Sequence, residues 1–153
     1  MKTFANIFSW LLIVAALMGC SDGIKRDIGG VYSLCRLSFH ELPSGTRGTD
    51  TYDANKVIAL ITVNAETNTF KITDTIKSST PKIRALALID ALLGKEFEMG
   101  TTDNANGIKN SKVVDGLFSL TIKKPDLEAT FIFEARKKNG FPKCESLLKE
   151  NEL

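Results

Sequence analysis

The stretch VVDGLFSLTIKKPDLEATFIFEAR, Val113 to Arg136, decides the fold. Apolar and polar residues alternate on both sides of Lys124-Pro125-Asp126, and a period of two is the signature of half-buried strands. The pattern predicts strands over Val113–Lys123 and Leu127–Arg136 joined by a tight turn. Their inner faces present Phe118, Leu120, Ile122, Phe131 and Phe133.

The same period extends upstream. Thr69 to Lys77 places Phe70, Ile72 and Ile76 inward and Lys71, Thr73 and Thr75 outward, with Asp74 as an exception on the inner face. Val57 to Val63 is apolar on nearly both faces, as in a strand covered on both sides. Asn64-Ala65-Glu66-Thr67-Asn68 between them has hairpin length. From Val31 to Phe39 one face carries Val31, Ser33, Cys35, Leu37 and Phe39. A weaker strand spans Lys95–Met99, with Asn106-Gly107 as a hairpin signal beyond it.

One segment breaks the period. Ser79 or Thr80 can cap a helix, Pro81 suits its first turn and Gly94 its end, so a helix is expected over Pro81–Leu93. Its apolar residues Ile83, Leu86, Leu88, Ile89, Leu92 and Leu93 cover an arc of roughly 220°, against about 100° for one-sided packing. Either the helix sits in a groove or plugs a barrel end, or Leu86, Leu88, Ile89 and Leu92 are offered to a partner or lipid. The fold class expected is mainly β (all-β or α+β): a small antiparallel β-barrel or curved sheet with one covering helix near residues 81–93.

Composition is that of a soluble globular chain: 153 residues, 43% hydrophobic and 25% charged, with a formal charge of +2. One domain is expected, and the charge balance gives no field for nucleic acid. The apolar content is concentrated at the start. Lys2 is the only charge before Asp22, and Ile7 to Met18 is apolar except for Ser9. Twelve residues are too few for a spanning helix, which needs roughly 20. A basic start, an apolar middle and small residues before a cut read as a signal peptide.

The residues that follow, Leu17-Met18-Gly19-Cys20, resemble the lipobox of bacterial lipoproteins, with Met18 where a small residue is commoner. The resemblance implies removal of residues 1–19, lipidation of Cys20, a tether over 20–28 and one β-rich domain over 29–153. Several acyl chains give durable anchoring where one is marginal. Ser21 after the cysteine is similar to lipoproteins sent to the outer membrane, which implies the periplasmic face of that membrane in a bacterial cell envelope. The opening Gly29-Gly30-Val31-Tyr32 and the turn Asn68-Thr69-Phe70 resemble, in two short matches, small lipocalin-like lipoproteins. That likeness transfers no ligand-binding residues.

With Cys20 assigned to lipid, Cys35 and Cys144 remain, and an oxidising compartment allows them one pairing. A bridge across so long a loop adds roughly 4 to 5 kcal/mol on the chain-entropy model and would hold the tail, Phe141 to Leu153, against the first strand. Two buried free cysteines are the other option.

Little else carries chemistry. His40 is the only histidine, which leaves no ligand set for zinc and no base for a serine hydrolase beyond proximity to Ser38 and Ser44. Thr102 to Gly107 fails as a calcium loop, because Thr102 stands at the first ligand position and Val113 at the bidentate acid. Asp50 and Asp53 read as exposed loop acids, and Arg136-Lys137-Lys138 with Lys143 as a solvated rim. No catalytic residue, metal or cofactor is expected. The reading is a non-catalytic protein-binding module of inhibitor, immunity or envelope-assembly type, meeting an envelope or incoming protein through Glu41–Asp53 or the helix. The alternative is a lipocalin-like carrier of a small apolar ligand, which needs a cavity of at least about 300 Å³. The sequence leaves the oligomeric state open.

Overall fold

In a computed structural model, which describes residues 28–52, 57–75 and 84–135, the 113–136 stretch forms the spine of the sheet. Strand β7 (Leu117–Lys124) pairs antiparallel with β8 (Leu127–Ala135) from Leu117↔Glu134 to Lys124↔Leu127. Phe118 thereby stands opposite Phe133, and Leu120 opposite Phe131, all four buried completely.

Val113 and Val114 do not belong to β7. They end β6 (Ile108–Val114), which turns back through Asp115 and Gly116, with φ of 52° and 76°. Two successive positive φ values are what a two-residue hairpin turn requires. The expected Val113–Lys123 strand is thus the end of one strand and most of the next.

The remaining strands are β1 (Gly30–Glu41), β2 (Arg47–Thr51), β3 (Ala59–Asn64), β4 (Thr69–Thr75) and β5 (Glu96–Glu98). They complete a curled antiparallel half-barrel in the order β5-β4-β3-β1-β8-β7-β6, with β2 off this path and paired to β1. The molecule is mainly β, as the alternation predicts. The two outer strands meet through the segment that joins them. Met99 N–H donates to the Asn68 carbonyl beside β4, and Gly100 N–H donates to the Ser111 carbonyl and Oγ on β6.

Two bulges correct the sequence reading. Cys35 of β1 has no counterpart on β8, whose register steps from Leu34↔Phe133 to Arg36↔Ile132. An inserted residue resets the alternation and bends the strand. The inner face therefore carries Tyr32 and Leu34, then Leu37 and Phe39, while Val31 is 42% exposed and Cys35 is buried outside the core cluster. In β4 the register steps from Ile61↔Ile72 to Leu60↔Asp74, which skips Thr73. The slip takes Asp74 off the inner face and leaves it exposed.

The core inside the curl is aromatic. Phe118 lies 5.1 Å from Phe70, 5.8 Å from Phe133 and 6.0 Å from Tyr32 between ring centroids. Helix α1 (Arg84–Asp90) packs against β4 and β8 and buries Ala85, Leu86 and Ile89 in the same cluster. Gly94 N–H donates to the Ile72 carbonyl and Thr75 Oγ1 to Asp90 Oδ1, which ties the end of the helix and the turn after it to β4. The helix stops at Asp90, earlier than Leu93. Leu92 and Leu93 bond back three residues instead of four, and Gly94 takes φ 77°. Its expected caps Ser79 and Thr80, and the stretch Pro81 to Ile83, lie outside the described residues, as do Ile76 and Lys77.

Candidate functional site

At the end of the curl where β1 finishes and β8 begins, α1 and the β1–β2 hairpin enclose a recess of about 220 Å³. Leu37, Phe39, Leu127 and Ala85 form an apolar floor, with Glu41, Thr46 and Arg84 at the rim. The recess lies where the sheet face stops being covered by the helix. Arg84, the first residue of α1, pairs with Asp126 in the β7–β8 turn and stands 3.7 Å from Glu41. These exposed pairs orient the rim more than they stabilise the fold.

The hairpin beside it is sharply constructed. Glu41 N–H donates to the Thr46 carbonyl and Gly45 N–H to the Glu41 carbonyl, with Gly45 at φ 73°. Strand β2 was missed by alternation because RGTDT has no apolar residue. Its signal was Gly48. A Cβ there would fall 2.4 Å from Cζ of Phe39, so the absent side chain is what lets the Phe39 ring lie across β2. The expected loop Glu41–Asp53 is thus largely a hairpin, with Asp53 outside the described residues. Strand β2 pairs with β1 along one edge, and among the described residues nothing pairs with the other.

The four helix residues read as partner-facing separate. Leu86, Ile89 and Leu92 are buried in the core, because the helix lies inside the curl and its wide apolar arc is covered by β4 and β8. In this fold their side chains are packing residues and not an exposed surface. Leu88 is half-buried, and Leu93 is 39% exposed in the turn that follows.

His40 is half-buried near the end of β1, opposite Arg47 and Glu128. Burial of the phenol raises the pKa of Tyr52, and the negative charge of Asp50, exposed on β2, adds to the rise. Asp103 is held below the ordinary aspartate range by the side chain and then the backbone N–H of Asn106, within the Asn104–Gly107 turn. Among the described residues no three of His, Cys, Asp and Glu cluster to hold a metal ion, and no helix is long and apolar enough to cross a membrane. Cys35 is buried; Cys20, Cys144, Arg136 to Lys138, Lys143 and the leader 1–19 lie outside the described residues.

No protein-family model, curated protein or solved structure matches the chain.

Proposed function

We propose that the chain is a lipid-anchored envelope protein whose β domain is a non-catalytic protein-binding module, reading its partner with the recess and the β1–β2 hairpin. One observation carries the binding half: the curl is filled with packed rings, while an apolar floor opens beside a strand whose second edge is unpaired among the described residues. A recess of about 220 Å³ is smaller than the roughly 300–1,000 Å³ of small-molecule sites, and suits an anchoring side chain from a protein. A free strand edge supplies main-chain hydrogen bonds to an extended segment. The same observation argues against a carrier with its ligand inside the barrel, since Phe70, Phe118, Phe131 and Phe133 occupy that space.

The anchoring half rests on sequence: Lys2, the apolar run Ile7 to Met18, and Leu17-Met18-Gly19-Cys20 with Ser21. It assigns the mature protein to the periplasmic face of a bacterial outer membrane, with Cys35 and Cys144 as a disulfide. What supports the bridge is that Cys35 is buried in the β1 bulge, outside the core cluster.

The test is affinity capture from envelope extracts with the wild-type chain, Arg84→Glu combined with Thr46→Arg at the rim, and Leu88→Asp on the helix. Loss of a captured protein with the rim variant, and retention with Leu88→Asp, is expected. Equal recovery with all three removes the recess, and an apolar small molecule extracted in place of a protein favours the carrier.

A further inference from the structure

The outer edge of β2 carries a readable pattern of backbone and side-chain groups. Glu41 N–H donates to the Thr46 carbonyl and Tyr52 N–H to the Cys35 carbonyl, at the two ends of the β1–β2 ladder. Antiparallel strands alternate between pairs that exchange hydrogen bonds and pairs that do not. Phe39↔Gly48 and Leu37↔Asp50 are therefore hydrogen-bonded pairs, whereas His40↔Arg47, Ser38↔Thr49 and Arg36↔Thr51 are not. The N–H and C=O groups of Arg47, Thr49 and Thr51 thus point away from β1, along the edge that has no pair among the described residues.

The side chains of β2 divide by face. Thr49 Oγ1 lies 3.3 Å from Ser38 Oγ on the outer face, with Arg47 and Thr51 on the same side. Gly48 and Asp50 face inward beside Phe39 and Leu37, and Thr46 at the recess rim continues their row. Phe39 is only half-buried although β1 is flanked by β2 and β8, and its ring lies over Gly48 at the margin of the recess. Arg47 and Asp50 are exposed, and neither has an ion-pair partner among the described residues.

We propose that the occupant of this edge is an extended protein segment that reads, from its N-terminal end, basic-any-apolar-acidic and adds antiparallel to β2. The proposal rests on the recess and hairpin being the binding surface, as above, and adds the chemistry of the partner. The antiparallel ladder is the stronger one per residue, and it sets the segment opposite Asp50, Thr49, Gly48 and Arg47 in turn. The basic side chain then meets Asp50 and the acidic one Arg47, as opposite charges on facing positions. The apolar side chain faces Gly48, where the missing Cβ gives it access to the Phe39 ring and the recess floor. In the added ladder Gly48 and Asp50 occupy pairs without hydrogen bonds, the pairs in which side chains approach most closely. A second copy of β2 does not supply this pattern. Facing residues share a side of the sheet, so in a two-fold antiparallel pairing they are an even number of positions apart, and Arg47 never faces Asp50 of the other copy.

The probe is a fluorescein-labelled peptide, threonine-lysine-threonine-phenylalanine-glutamate-threonine, titrated against the full chain at low salt and followed by anisotropy. Replacing its phenylalanine with serine should weaken binding at least about tenfold. Asp50→Lys should weaken the original peptide about three- to tenfold and favour the peptide with glutamate in place of lysine. Methylation of single main-chain nitrogens reads the register. On the threonine facing Thr49 it removes a ladder hydrogen bond and should abolish binding, whereas on the phenylalanine facing Gly48 the nitrogen points outward and binding should persist. The peptide changes leave the protein untouched, so no folding defect enters those readings. Absence of binding, or binding indifferent to the charge swap and to the methylated position, overturns the proposal. Envelope capture that still depends on Arg84→Glu with Thr46→Arg would then uphold the recess and hairpin without this partner, which tells the two failures apart.

Discussion

Replacing Phe118 with alanine tests whether the curl is a packed core or a container. The ring is fully buried and touches three others, Tyr32, Phe70 and Phe133, at centroid separations of 5.1 to 6.0 Å. Burial of a phenylalanine and the void left by its removal together cost about 3–5 kcal/mol. Ring pairs add about 0.5–1.5 kcal/mol beyond area, which places Phe118→Ala toward the top of that range. A domain of this size has about 5–15 kcal/mol in all, so the variant should retain a cooperative but much earlier urea transition. The assay is equilibrium unfolding followed by far-UV circular dichroism, with Phe118→Leu as a control that keeps most of the volume. A loss of about 1 kcal/mol or less for Phe118→Ala would refute the reasoning. It would mean that the ring faces space a ligand normally fills.

Gly107→Ala should destabilise by more than the about 1–2 kcal/mol of a left-handed backbone, because φ is 78° and the new Cβ would lie 2.7 Å from the Lys123 carbonyl; thermal unfolding measures it. Gly48→Ala should displace the Phe39 ring and alter the recess floor, seen as a changed near-UV spectrum or Phe39 NMR resonances, with the sheet intact. Tyr52 should ionise above the ordinary tyrosine value of 10.0 in an ultraviolet titration, and Asp50→Asn should return only part of the shift, since burial is its larger cause. Asp103, whose folded pKa is lowered, supports its turn above the ordinary aspartate range and loses that support as pH falls through the folded value. The Asn106 amide should report this by NMR, and Asp103→Asn should abolish the titration.

Alternation made β7, β8 and β4 legible because one face of each is buried in the core and the other is mostly less buried, so the period of two is written in side-chain polarity. It failed where backbone geometry, not polarity, carries the information. The β1 bulge at Cys35 and the β4 bulge at Thr73 each shift the pattern by one residue. The first turned Val31 outward, and the second explained why an apparently inward Asp74 is tolerated. Asp115-Gly116 was a readable turn hidden inside a run of favourable strand residues. Strand β2 has no apolar side chain to read, and only the collision that Gly48 avoids with Phe39 betrays it. The recess was invisible in sequence, since Leu37, Phe39, Ala85 and Leu127 come from three elements and look like ordinary core residues. The helix shows the converse: its wide apolar arc was visible, but whether a partner or the protein's own sheet covers it depends on tertiary packing.

Intact-mass spectrometry of the protein extracted from its native membrane tests the central claim most directly. The account predicts a chain that begins at Cys20, lacks residues 1–19, and carries the mass of a diacylglyceryl group with an acylated amino terminus, minus two hydrogens for one disulfide. A chain that retains Met1 to Gly19, or begins elsewhere without lipid, would contradict it.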